Sequence, residues 1–212
     1  MSHLTRFPAA LFARQDESPD AKFYSFVRLV THIDAAAITA VTQLYREYFE
    51  PGGAILDLMS SWVSHLPDSV HYRRVAGLGM NALELKANPR LSDFVVQDLN
   101  ADPHLPYADD EFDGAAICVS IDYLTQPVAV LAELGRVLRP GAPLVVTYSN
   151  RCFPTKAVAI WLQLSGAARG ELVAQLIAES AMFGPAEVFD RSPSGTDPLF
   201  GVVARARQPS RA

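Results

Sequence analysis

The chain has 212 residues, with 18 Lys and Arg against 23 Asp and Glu, for a formal charge of -5 at pH 7. Half of the residues are hydrophobic and only 19% are charged, which excludes wholesale disorder and predicts one well-packed domain. The acidic balance argues against nucleic acid as a partner. No stretch approaches the roughly 20 apolar residues that span a bilayer, so no membrane partner is expected.

Residues 1–22 read as a flexible tail, 23–207 as a single domain opening with a helical lid over 23–50, and 208–212 as a second tail. The segment Phe7 to Ala13 is too short and poorly formed for a signal peptide, and the expected compartment is cytoplasmic. Ile38, Val41, Tyr45 and Tyr48 recur at helical spacing after a capping Asp34, and Pro51-Gly52-Gly53 ends that helix. Ala54 to Met59 is a short buried strand. Arg73 to Met80 and Asp93 to Leu99 read as the second and third strands, separated by a short helix through Leu83, Leu85 and Ala87. Gly114 to Ile121 is apolar almost throughout, as expected of a strand covered on both faces. Pro127 opens a helix with Leu131, Leu134, Val137 and Leu138 inward, Pro140-Gly141 closes it, and Pro143 to Tyr148 is the fifth strand. Helical patterns over Lys156 to Leu164 and Glu171 to Met182 precede two strands, Ala186 to Asp190 and Leu199 to Ala206. Strands alternating with helices predict an open, doubly wound, Rossmann-like α/β sheet, with the last two strands as an antiparallel hairpin at one edge.

In such sheets a ligand lies across the carboxyl ends of the strands. Those ends read Leu56-Asp57-Leu58-Met59-Ser60-Ser61-Trp62, Gly77-Leu78-Gly79-Met80-Asn81, Gln97-Asp98-Leu99 and Val119-Ser120-Ile121-Asp122-Tyr123. Together with Asp110-Glu111-Phe112-Asp113-Gly114 and Glu133-Leu134-Gly135-Arg136-Val137-Leu138-Arg139-Pro140-Gly141, this succession resembles the class I S-adenosylmethionine-dependent methyltransferases, in the branch with a general small-molecule methyltransferase domain. The resemblance covers roughly Ala54 to Asn150. It implies seven strands in the order 3-2-1-4-5-7-6, S-adenosyl-L-methionine as cofactor and a small-molecule acceptor. It also implies that Asp57 holds the amino group of the methionine part, and that Asp98 accepts from the adenine amino group while the Leu99 backbone meets the neighbouring ring nitrogen. An ionised carboxylate is an acceptor only, which suits both amines.

Two departures mark the chain. The resembling family has a glycine-rich first loop, whereas this chain has no glycine between Gly53 and Gly77; Met59, Ser60, Ser61 and Trp62 stand there. Ser60 and Ser61 are candidates to bond the ligand carboxylate and Trp62 to wall the site, the competing expectation being that the serines cap a helix. The acid that usually grips the ribose is also replaced, by Gly79; Met80 and Asn81 follow it, with Asn81 a candidate ribose ligand and Glu84 a weaker one. Ser120 completes the cofactor set. No dinucleotide fingerprint G-x-G-x-x-G is present, and the five histidines show no metal-ligand spacing, so no metal is expected.

On the acceptor side, Tyr24, Arg28, Tyr123 and Arg151 are candidate substrate contacts, with Lys156 a second cation after the fifth strand. In-line methyl transfer depends mainly on holding donor and acceptor in attack geometry; where a base is needed, His32, Asp122 and Tyr123 are the candidates. The alternative is a methyltransferase-like binding or scaffold protein that has lost its cofactor.

Overall fold

In the computed structural model, which describes residues 7–207, the apolar runs become seven strands: β1 (Ala54–Leu58), β2 (Arg74–Gly79), β3 (Asp93–Val96), β4 (Gly114–Cys118), β5 (Pro143–Tyr148), β6 (Glu187–Asp190) and β7 (Phe200–Arg205). They form one sheet in the order β3-β2-β1-β4-β5-β7-β6. The first five strands are parallel; β7 runs antiparallel to β5, and β6 antiparallel to β7. The order and the edge hairpin agree with expectation. All five residues of β1 are buried, because Leu56 and Leu58 pack on one face and Ile55 on the other.

Among the described residues six α-helices accompany the sheet: α1 (Asp20–Phe23), α2 (Ala35–Tyr48), α3 (Ala82–Ala87), α4 (Pro127–Val137), α5 (Ala159–Gln163) and α6 (Gly166–Glu179). The Asp34 carboxylate accepts from the Ala37 N–H and caps α2, whose Val41, Leu44 and Tyr45 pack with Ile55 and Val145. On the opposite face, Leu131 and Leu134 of α4 and Val173 and Ile177 of α6 pack with Leu56 and Val146.

The family-like signature residues hold this frame together. Asp113 accepts from the Ala54 N–H and pairs with Arg73 and Arg139, joining the starts of β1 and β4 to the exit of α4. Glu133 accepts from the Leu105 N–H and from Arg136, and Arg136 also donates to the Leu105 and Tyr107 carbonyls. These contacts are far from any strand's carboxyl end, which is why the signature reports fold more than activity.

Residues 7–22, expected as a tail, instead lie against the body. Phe12 is buried, and Arg14 bridges to Val158. Asp20 accepts from both Arg14 and the Asn100 amide. The fully buried Lys156 ammonium lies 3.0 Å from Asp20 and donates to the Ser18 carbonyl at 2.6 Å. Burial opposes ionisation of Asp20, yet Arg14, Asn100 and Lys156 hold its carboxyl below the usual range. Lys156 is therefore not a surface cation awaiting an acidic acceptor; it anchors the N-terminal segment. Only part of the expected helical lid is helical. Between α1 and α2 the backbone is irregular, because its polar groups are taken by side chains: Glu84 accepts from the Arg28 N–H, the Asn81 amide donates to the Tyr24 carbonyl, and the Trp62 indole donates to the Val30 carbonyl.

Removing one partner of a buried ion cluster leaves charge uncompensated. Lys156→Ala is expected to cost about 3–5 kcal/mol in urea unfolding, and to speed tryptic cleavage after Lys22 as the anchored segment loosens.

Candidate functional site

The carboxyl ends of β1, β2 and β4 open into a cavity of about 470 Å³, roofed by the irregular lid. That volume falls within the roughly 300–1,000 Å³ of small-molecule sites. Two of its walls are strained: Met59 directly after β1 has φ 59° and Val119 directly after β4 has φ 45°. Positive φ is a genuine outlier for a β-branched residue, and such strain collects at ligand sites. The turn at Val119 also ends β4 at Cys118, short of the expected Ile121.

The first loop takes a route that accounts for both departures from the family pattern. After Met59 the chain crosses the end of β2, where the Ser60 N–H donates to the Leu78 carbonyl at 2.8 Å. The Ser60 carbonyl then lies against Gly79 so closely that a Cβ there would stand 2.1 Å from its oxygen. An acid at this position would collide with the backbone. Beyond it, the Ser61 hydroxyl donates to Glu84 at 2.6 Å, and the Asn88 amide holds the Ser61 carbonyl. Glu84 thus faces the cavity, with one oxygen taken by Ser61 and the other by the Arg28 N–H.

Asp57 lies at the floor, buried on the α2 side of the sheet. The Ser60 hydroxyl donates to it at 2.6 Å, and no cation pairs with it among the described residues. Burial pushes its carboxyl up to about 6, against the hydroxyls of Ser60 and Ser64, which favour the charged form. Asp98, across the cavity, accepts from the Asn100 N–H through one oxygen, beside the buried Leu99. Met59, Trp62, Met80 and Ser120 also line the cavity. The Ser120 hydroxyl is buried without a hydrogen-bond partner among the described residues.

Other candidates are engaged elsewhere. Asn81 caps α3 through its carbonyl oxygen, which accepts from the Leu83 and Glu84 N–H groups, while its amide holds the lid. Arg28 donates to the Phe23 and Phe26 carbonyls, its guanidinium 4.7 Å above the Phe23 ring. Arg151 sits at the rim, bonded to Asp197. Tyr24 lines the cavity from the lid, and Tyr123, whose hydroxyl accepts from the Phe153 N–H, lines it as well. His32 also lines the cavity, edge-on to Phe153, and burial lowers its pKa. Asp122 is buried beside the site without lining it; one oxygen has no partner among the described residues, and burial raises its carboxyl to about 7.

Glu84, the weaker candidate on the expectation that its helix turns it to solvent, faces the cavity instead, because the facing of a six-residue helix depends on the loop beside it. His65, Cys152 and Phe153 also line the cavity; apart from the left-handed backbone of His65, which leaves no mark in the sequence, nothing local singles them out.

A family model described as a methyltransferase domain matches residues 64–146. Demethylmenaquinone methyltransferase of Renibacterium salmoninarum is 38% identical over 69 residues, which cover 32% of this chain and 27% of that protein's length. A chain from the complex between the Haloferax volcanii Trm112 methyltransferase activator and the putative methyltransferase superposes with a TM-score of 0.61 at 13% identity, over 84% of this chain and 92% of that one. Haemonchus contortus phosphoethanolamine N-methyltransferase 2, solved in complex with S-adenosyl-L-methionine, gives a TM-score of 0.59 at 12% identity, over 80% of this chain and 52% of that one. At these identities the two structural likenesses are likenesses of fold.

The crossing at Gly79 yields a direct test. Gly79→Ala is expected to cost about 1–3 kcal/mol in urea unfolding, since the loop backbone must move, and Gly79→Asp at least as much, although it supplies the acid found in the resembling family.

Proposed function

We propose that the chain is a class I S-adenosylmethionine-dependent methyltransferase that binds S-adenosyl-L-methionine in this cavity and methylates a small-molecule acceptor, a reading supported by its strand order and by the methyltransferase-domain match over residues 64–146. The observation that carries the proposal is Asp57, a buried carboxylate at the end of β1 with a hydroxyl for company and no cation. A ligand ammonium would supply the missing charge. The rest of the cavity fits the same molecule: Asp98 has an oxygen beyond its Asn100 contact to accept from an exocyclic amine, and the Leu99 backbone adjoins it.

Glu84 takes the ribose hydroxyls in this proposal. Each of its oxygens has one partner and retains acceptor capacity, and it faces the cavity next to the site that Gly79 leaves without an acid. The loop's route over Gly79 thus accounts for the missing glycines and acid without loss of the cofactor, and the binding-protein alternative is not favoured.

When bound, the cofactor supplies an electrophilic methyl group on a sulfonium. The chain's own residues orient the reactants and exclude water. Tyr24 and His32 from the lid line the cavity together with Ser120 and Tyr123, and these residues surround the acceptor in this proposal. Burial lowers the pKa of His32, which favours the unprotonated imidazole, so it can take a proton from an oxygen or nitrogen acceptor. Asp122 stands behind this wall, and Arg28 and Arg151 shape the lid and the rim.

Calorimetry with S-adenosylhomocysteine tests the proposal: saturable binding is expected, strengthening as pH rises through about 6 and Asp57 ionises. No binding by the folded protein would overturn it. Asp57→Asn should weaken that binding at least about tenfold, equivalent to about 1.4 kcal/mol. The same substitution should raise stability. A carboxyl lifted in the folded state contributes stability below its unfolded pKa, near 3.8, that is lost as pH rises through about 6; the variant is therefore expected to gain about 1–3 kcal/mol in urea unfolding at pH 8, and little at pH 4.

A further inference from the structure

Five of the nine large apolar side chains that stand exposed among the described residues belong to one patch at the cavity's mouth. Phe26 is 71% exposed, Val27 43%, Leu29 53% and Val30 56%, all on the lid; Leu83, 65% exposed, adjoins them on α3, where its neighbour Glu84 binds the Arg28 N–H. The lid is inside out. Its arginine turns inward, stacked over Phe23 and Phe153, while the apolar residues on either side face water. Isolated exposed apolar residues are ordinary, but a contiguous patch marks an interaction surface.

The occupant can be argued from shape and charge. The segment has irregular backbone, so it offers neither a strand edge nor a groove for a partner's helix. An apolar segment without such features suits a fluid partner better than one of fixed shape. From Ala21 to Ile33 the chain carries Lys22 and Arg28 and no acid, although the whole chain is at -5. Lys22 is exposed, and Glu84, the carboxylate in contact with the segment, faces the cavity. Exposed apolar residues beside an exposed lysine, with no acid within this segment of an otherwise acidic chain, suit a surface that settles on anionic lipid headgroups.

We propose that the lid, through Phe26, Val27, Leu29, Val30 and Leu83 with Lys22 beside them, docks on an anionic lipid surface and holds the cavity's mouth at that interface. The irregular backbone restricts the insertion to the headgroup boundary, since unpaired backbone groups are not tolerated in hydrocarbon. The sequence-based expectation of no membrane partner rested on the lack of a spanning run, and no helix among the described residues is long and apolar enough to cross a bilayer; neither bears on a surface contact.

The test is cosedimentation of the full chain with sucrose-loaded vesicles of phosphatidylcholine mixed with phosphatidylglycerol, and with phosphatidylcholine alone. Binding to the mixed vesicles is expected, weaker to the neutral ones and weaker in high salt. Phe26→Ser with Leu29→Ser should lower binding at least about tenfold, with an unchanged Tm because neither side chain is packed in the core. Lys22→Glu should weaken binding to the mixed vesicles alone. Failure of the unmodified protein to bind mixed vesicles, or equal binding by the double variant, overturns the proposal. So does self-association in sedimentation velocity that the double variant abolishes while vesicle binding is absent, which would assign the patch to a second copy of the chain.

Discussion

Where β1 ends, the backbone turns through a left-handed Met59, crosses β2 and lays the Ser60 carbonyl on Gly79 with no room for a side chain between them. The site's other features follow from that crossing. Ser60 is brought within 2.6 Å of Asp57, and Ser61 within 2.6 Å of Glu84. Trp62 then reaches the Val30 carbonyl of the lid. A glycine-rich loop leaves backbone free to approach a ligand; this loop commits its backbone to β2 and turns hydroxyls and an indole toward its neighbours. Gly79 is needed for the close approach of two backbones, not for flexibility.

The roof is held differently from the floor. Along the sheet, parallel strands pair and their apolar residues fill both faces. The N-terminal segment adds charges and polar contacts to the packing of Phe12: Arg14, Asp20 and Lys156 on one side, and Glu84, Asn81 and Trp62 on the other. A buried ion cluster of this kind is a costly way to gain stability but a selective way to fix one arrangement. Here it fixes the position of the residues that line the cavity from above. The lid's inward arginine belongs to the same pattern, and leaves its apolar neighbours outside.

Function and stability pull against each other at Asp57. A buried carboxylate without a cation destabilises the folded chain above about pH 6. Its persistence at the floor of a cavity is understandable if a ligand brings the opposite charge, because binding then recovers the energy lost on burial. Asp113 is the contrast: it too is a signature carboxylate, but it is paired with Arg73 and Arg139 and serves the frame. Resemblance alone does not separate the two roles.

Much of the architecture was legible in the sequence. Apolar runs of strand length, Asp34 as a helix cap, Pro127 at a helix start and the spacing of Phe112 to Gly141 are local or periodic features, and each follows from sterics, capping or burial that neighbouring residues decide. The placement of Asp57, Asp98 and Ser120 at strand ends followed from the same pattern. What it did not carry was every feature made by residues distant in the chain. The anchoring of residues 7–22 depends on Lys156, about 140 positions away. The inward facing of Glu84 depends on Ser61, and the end of β4 on a strained turn at Val119. Periodicity determined the sheet because burial repeats along the chain; only the tertiary structure decided the site, because its geometry depends on which backbone crosses which, and that is written in no single stretch.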